Sequence, residues 1–291
     1  MHPLLGPPPS MTAPETARAT TVAFYPVPAV LFFLSLYVSG KFTELILSRY
    51  SIEFPKLSFE HRRNTVAYCL SALWTTVALV LQLCASPLLA EKYTFNRIDL
   101  VKLAGLVISG LYIWELTYRA SLRLPILIHH FCTLFATFLI IATLQETQHA
   151  ALSSLGLLWI FYASTEQSMF IGLIMYRLRC PKHLVQTMLY FSAVQSFLFK
   201  SVFSFYLYIW WGLKLAGHSE RTIDIAFSVL FILTLTCLVV TQGYGSWAAW
   251  SIARRMAVVK KEFLRGHTQF IDVLIPFHSK EATPNDLECD S

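Results

Sequence analysis

Two adjacent histidines sit just inside a long apolar run in Pro125-Ile126-Leu127-Ile128-His129-His130-Phe131-Cys132-Thr133-Leu134-Phe135-Ala136-Thr137, which continues apolar to Leu144. About 20 apolar residues cross the hydrocarbon core of a bilayer, so this stretch reads as a spanning helix. Ionisable groups inside such a helix are costly unless they face protein or water, which makes both histidines functional candidates. On a helix His130, Thr133 and Thr137 share one face by the i, i+3, i+7 rule, whereas His129 is turned about 100° away.

Outward from this stretch, similar windows recur until there are seven. They run approximately over Phe24–Leu47, Val66–Ala90, Asp99–Tyr118, Ile126–Leu144, Ala150–Tyr176, Leu184–Trp211 and Ile225–Ser251. The composition agrees: of 291 residues 55% are hydrophobic and 14% charged, with a mean hydropathy of +0.54. Soluble domains carry roughly a quarter charged residues, so the deficit points to an all-α integral membrane protein. The first apolar run is too long and too late for a secretory signal. Six cysteines form no CxxC zinc pattern. Cys69, Cys84, Cys132 and Cys237 fall inside apolar runs, where a thiol behaves as a small hydrophobe.

Basic residues set the expected orientation. One set of alternate loops holds Arg49, Lys56, Arg62 and Arg63, then Arg119 and Arg123, then Arg177, Arg179 and Lys182, then Arg254, Arg255, Lys260, Lys261 and Arg265. The other set holds Arg18, Lys92, Arg97, Lys214 and Arg221. Basic loops stay cytosolic, which predicts a lumenal or external N-terminus and a cytosolic C-terminus. The net charge of +6 then reads as topology signal and headgroup contact, so no nucleic-acid partner is expected. Residues 1–20, with Gly6-Pro7-Pro8-Pro9, are expected to be a disordered tail. Residues 21–56 form a first helix and loop, 57–262 a six-helix unit, and 263–291 a cytosolic tail.

The polar residues inside the spans cluster toward the basic side or the middle of the membrane. Besides His129 and His130 they are Glu115, Glu166, Gln195, Lys200 and Gln242, with Thr133 and Ser168 nearby. Together they suggest a funnel for a lipid whose chain lies among Phe131, Phe135, Phe161, Phe197 and Phe203. A buried neutral imidazole can act as general base or nucleophile. That suits His129 or His130 in acyl transfer to a lipid amine or hydroxyl, with Glu166 orienting the ring and the second histidine or Thr133 steadying the oxyanion. Glu115, Thr133, Ser168, Gln195, Lys200 and Gln242 are then substrate-binding candidates. Each also has a plainer reading. Glu115 can pair with Arg119 one turn on, Glu166 with Lys200 or a histidine, and the glutamines can join helices. Adjacent histidines point apart, and neither HxxxH nor HExxH occurs, so no metal is expected.

His129-His130-Phe131-Cys132-Thr133 matches HHxxT. With Tyr112-Ile113-Trp114-Glu115-Leu116-Thr117-Tyr118-Arg119 upstream, Thr165-Glu166-Gln167-Ser168 on the next span, and Arg62-Arg63-Asn64-Thr65 ahead of the second span, the chain resembles the TLC-domain family over roughly residues 57–262. That superfamily includes ceramide synthases, translocating-chain-associated proteins and the ceroid lipofuscinosis membrane protein. The resemblance implies a six-helix barrel around a central cavity, preceded here by one extra helix. It also implies residence in the endoplasmic reticulum and a role in lipid synthesis, sensing or trafficking. Ceramide synthases carry further aspartates on the next helix, where this chain reads Phe161-Tyr162-Ala163-Ser164-Thr165-Glu166, and an acidic residue before the histidines, where it has Arg123-Leu124-Pro125. The match is closer to the branch lacking that signature. The expected partners are membrane lipids, with acyl-CoA as co-substrate and no bound cofactor, and an oligomer is compatible with the sequence. The alternative is a non-catalytic lipid-binding, sensing or trafficking protein.

Overall fold

The computed structural model describes residues 26–147, 151–211 and 222–264, with side chains over 29–142, 152–209 and 225–257. The expected tail at 1–20 lies outside the described residues, as does nearly all of 263–291. Among the described residues the secondary structure is helical, without strands. The helices are α1 (Pro26–Tyr50), α2 (Phe59–Ala85), α3 (Phe95–Tyr118), α4 (Leu124–Thr147), α5 (Ala151–Ser164), α6 (Gln167–Arg177), α7 (Lys182–Trp211) and α8 (Thr222–Leu264). They make seven segments long and apolar enough to cross a membrane, one of them α5 and α6 together. The chain is therefore an all-α, multi-pass membrane protein.

Helix limits follow local chemistry. The Ser58 side chain accepts the His61 N–H at 3.4 Å, capping α2 seven residues before the expected start at Val66,. A 3₁₀ turn at Ser86–Ala90 then takes over where Pro87 cannot continue the α2 ladder,. Glu91, at φ 57°, closes that turn by donating its N–H to Leu88,. The last helix does not stop near Ser251 as expected but runs on to Leu264.

The principal correction is in the fifth span. A single helix over Ala150–Tyr176 is expected, yet α5 ends at Ser164 and α6 begins at Gln167, with Glu166 at φ −108°, ψ 10° between them. No glycine or proline causes this. Polar side chains compete with the backbone instead: Thr165 Oγ1 donates to the Phe161 carbonyl at 3.2 Å, and Gln167 Nε2 to the Ser164 carbonyl at 2.5 Å,. The Glu166 carbonyl accepts the N–H groups of Met169 and Phe170, restarting the ladder. Interrupted backbone at membrane depth is tolerated when protein groups satisfy it, as they do here.

Helix neighbours run α2–α3, α3–α4, α4–α8, α8–α7, α7–α6 and α6–α2, a closed circuit, while α5 touches α2, α3, α4 and α7. Every residue from Leu152 to Thr165 is buried. A helix apolar on all sides belongs inside a bundle, and α5 fills that place. In contrast α1 packs on α2 and α3 from one side. Only 11% of its apolar window is buried, against 72% for the fifth span.

Candidate functional site

Antiparallel register brings α3 and α4 together. Side chains on a helix lean toward its N-terminus, so those of antiparallel α3 and α4 lean in opposite directions along the axis, and Glu115 reaches inward as His130 reaches outward. Tyr112 and Glu115 of α3 thereby meet His129 and His130 of α4. The Tyr112 hydroxyl lies 3.1 Å from His129 Nε2, and its ring stacks on His130 at 4.2 Å between centroids. Glu115 Oε2 lies 3.1 Å from His130 Nε2 and 3.6 Å from Arg119 Nη1. Its other oxygen accepts the Ser71 hydroxyl of α2. Glu115, His130 and the Arg119 side chain are all about 5% exposed or less, so this carboxylate is held by three partners away from water.

The second half of the cluster centres on the helix interruption. Lys200 of α7 leans back along its helix and donates to Glu166 and to the Gln242 amide oxygen of α8. Gln242 Nε2 lies 3.1 Å from each ring nitrogen of His129 and donates to the one without a proton,. A continuous polar chain therefore runs Ser71–Glu115–His130, across the Tyr112 ring to His129, then Gln242–Lys200–Glu166. It draws on every span except α1.

Of the nine residues singled out in the sequence, six join this chain: His129, His130, Glu115, Glu166, Lys200 and Gln242. The role assigned to Glu166 needs correction. Its carboxylate is taken up by Lys200, and Glu115 holds the histidine instead. The ion pair to Arg119 expected for Glu115 is present as well, so the local pair and the site role coexist on one carboxylate. Ser168 and Gln195 bond each other at 2.5 Å between α6 and α7, off the chain, which matches helix-joining glutamine. Ser71 and Tyr112 join the chain without being among those nine. Ser71 had a usable signal, since Ser71, Thr75 and Gln82 fall on one buried stripe of an otherwise oily helix,.

Thr133 stands apart. Its Oγ1 is buried without a hydrogen-bond partner, as are His130 Nδ1 and Ser109 Oγ. His130 and Thr133 are one turn apart on α4. The register that sets Gly105 against Thr137, where a Cβ on the glycine would come within 3.7 Å of Thr137 Cγ2, puts Ser109 level with Thr133. Three idle polar atoms thus line the α3–α4 seam. Native interiors rarely leave such groups unmatched, and a site awaiting a ligand or water is one reason. The seam leads to a crevice among Val101, Gly105, Thr137, Gly156, Trp159 and Ile160, of about 30 Å³. Roughly two waters would fill it, at 10–15 Å³ each.

The aromatic lining expected for the funnel is only partly present. Phe131, Phe135 and Phe197 point outward, at 58%, 46% and 60% exposure, toward the lipid. Phe161 and Phe203 do face inward and stack at 5.7 Å. The space between the circuit helices is occupied by α5. Among the described residues no three His, Cys, Asp or Glu side chains gather as a metal site would require.

No protein-family model, curated protein or solved structure matches the chain. Fold and site together define a multi-pass helical membrane protein with a buried acid–base network at its centre.

Proposed function

We propose that this chain is a TLC-like membrane protein of lipid metabolism that transfers an acyl group from acyl-CoA to a lipid acceptor, with His130 as general base. The observation that carries the proposal is the Glu115–His130 pair. A carboxylate accepting the Nε2–H fixes the tautomer, so Nδ1 presents a lone pair, and that atom is buried and without a partner,. In the reaction the acceptor O–H or N–H bond breaks and its proton passes to His130 Nδ1. The freed lone pair forms a bond to the thioester carbonyl carbon. The C–S bond then breaks, and the coenzyme A thiolate leaves with the proton from Nδ1. Thr133 Oγ1, one turn along the same face, is the donor for the transient oxyanion. His129 is occupied by Tyr112 and Gln242 and serves as a positioning residue.

In this reading the closed circuit is the TLC-type barrel, with α1 as its extra helix. The N-terminus is lumenal, the C-terminus cytosolic, and the membrane that of the endoplasmic reticulum. A second reading has its own support. The crevice beside the seam holds only about 30 Å³, which favours a lipid sensor that orders on binding and performs no turnover.

Purified full-length protein given acyl-CoA and a lipid extract should yield a new acylated lipid by mass spectrometry. His130→Ala should abolish that product while the helical signal and melting behaviour persist. Copurifying lipid with no turnover would support the sensor instead, and turnover that survives His130→Ala would remove the histidine from the chemistry.

A further inference from the structure

Two thiols outside the acid–base network meet across the α4–α8 contact. Cys132 Sγ of α4 lies 3.3 Å from Cys237 Sγ of α8, 105 residues further along the chain, and neither is in a disulfide. The contact keeps the antiparallel register of the His129–Gln242 pair, on along α4 and back along α8 by about one turn,. The thiols therefore sit beside a hydrogen bond that already joins the same two helices. A disulfide holds its sulfurs about 2.0 Å apart, so these two need to close by only about 1.3 Å,.

The pair lies well inside the apolar layer. Because α4 begins at Leu124, Cys132 is about 12 Å along it, and Cys237 is about 20 Å or more from either end of α8,. Both thiols are partly exposed. Around them the outward-pointing side chains, Phe131 and Phe135 on α4 and Leu233 and Val240 on α8, are apolar. In a bilayer, what reaches the sulfurs from outside is acyl chain. Charge is costly at this depth, so the thiols meet an oxidant as S–H groups and not as thiolates, the form that nucleophilic chemistry needs. An S–H in hydrocarbon reacts by giving up a hydrogen atom. The oxidant that arises among acyl chains and takes a hydrogen atom is a lipid peroxyl radical.

We infer that Cys132 and Cys237 are a dithiol trap for lipid peroxyl radicals, and that the product is a disulfide joining α4 to α8. One radical takes the hydrogen atom of one S–H, becoming a hydroperoxide and leaving a sulfur-centred radical. A second radical takes the hydrogen atom of the other S–H, and the two unpaired electrons form the S–S bond. Each sulfur is oxidised by one electron and each peroxyl group is reduced by one. Two radicals and two thiols thus give two hydroperoxides and one disulfide. Contact decides this outcome: a solitary sulfur radical would pass its oxidation on to a neighbouring lipid, whereas here a second sulfur is already touching it. The inference stands independently of any acyl transfer at His130.

The test places full-length protein in vesicles of polyunsaturated phosphatidylcholine and adds a lipid-soluble azo initiator, which generates peroxyl radicals within the bilayer. Intact mass should fall by about 2 Da, one hydrogen for each sulfur. Peptide mapping without reductant should recover Cys132 joined to Cys237, and both should lose alkylation after unfolding until dithiothreitol restores it. Cys132→Ala and Cys237→Ala should each abolish the mass loss, whereas Cys69→Ala with Cys84→Ala, which removes thiols elsewhere, should retain it. Lipid that peroxidises while both thiols stay open to alkylation would leave them as two small apolar side chains in contact and overturn the site. Oxidation of the two to separate sulfinic or sulfonic acids would overturn the pairing. An equal yield of disulfide from aqueous hydrogen peroxide in vesicles of saturated lipid would overturn the choice of oxidant. Thermal melts of each variant establish that the fold is intact.

Discussion

The buried network contains two acid–base pairs that differ in one respect. At the helix interruption Glu166 faces Lys200, a full positive charge, and the ammonium has Gln242 as a second partner. At the α3–α4 seam Glu115 faces His130, a weaker base, and the ring keeps one nitrogen without a partner. The first pair is closed, with charge matched by charge and partners in place. The second is open, its carboxylate steadied by Ser71 and Arg119 while the imidazole looks onto other idle hydroxyls. A closed pair of this kind holds helices in register, whereas the open one keeps a ring nitrogen available.

Separating the pairs by mutation gives the largest expected effect at the closed one. Lys200→Met strands the Glu166 carboxylate in the interior and should cost about 3–5 kcal/mol of stability, measured by unfolding in mixed detergent. Adding Glu166→Gln should recover most of that loss. If the double variant unfolds as readily as the single, the two groups are not a pair and the comparison fails. At the open pair the order of effects reverses: under the proposed function, His130→Gln should lower acyl transfer about a hundredfold or more, with a smaller change in unfolding than Lys200→Met.

A smaller effect is expected at Ser71. Ser71→Ala removes one hydrogen bond to a buried carboxylate, a loss of about 2 kcal/mol in the same unfolding measurement. If Glu115 were held only by Arg119 and His130, the change would be negligible. The smallest effect belongs to an ion pair outside the spans. Glu53 bonds Lys56 at 2.7 Å, and that contact holds its carboxyl below the usual carboxylate range, with Arg179 adding to the pull. A lowered folded-state value means the contribution is complete at neutral pH and disappears as pH falls through that value. The difference in melting temperature between parent and Glu53→Gln should therefore be slight at pH 7 and absent in strong acid.

Much of this architecture was legible from residue order, for a physical reason: the bilayer demands about 20 apolar residues per crossing, and a signal that coarse survives any packing detail. The interruption at 165–166 was not legible because breaks are read from glycine and proline, and this one is made by Ser164, Thr165, Glu166 and Gln167 bonding elsewhere. The convergence of six candidates was legible because charged and amide groups in oil have few places to go. The partner of each was not. Arg119 four residues after Glu115 supplies a local explanation that hides the longer reach to His130, and only three-dimensional register decides between Glu115 and Glu166. The outward placement of Phe131, Phe135 and Phe197 is not legible for a related reason: lipid and protein interior are equally oily, so hydrophobicity alone does not tell a lining from an outer wall.

The discontinuity between α5 and α6 also bears on mechanics. An unbroken helix passes a push along its whole length, whereas two rods joined at a bend share almost none of it. Any guest wedged between α3 and α4 would have to shift only the inner fourteen-residue rod, Ala151–Ser164. The outer rod would stay seated against α2 and α7, so the enclosing wall would keep its shape while its plug changed place.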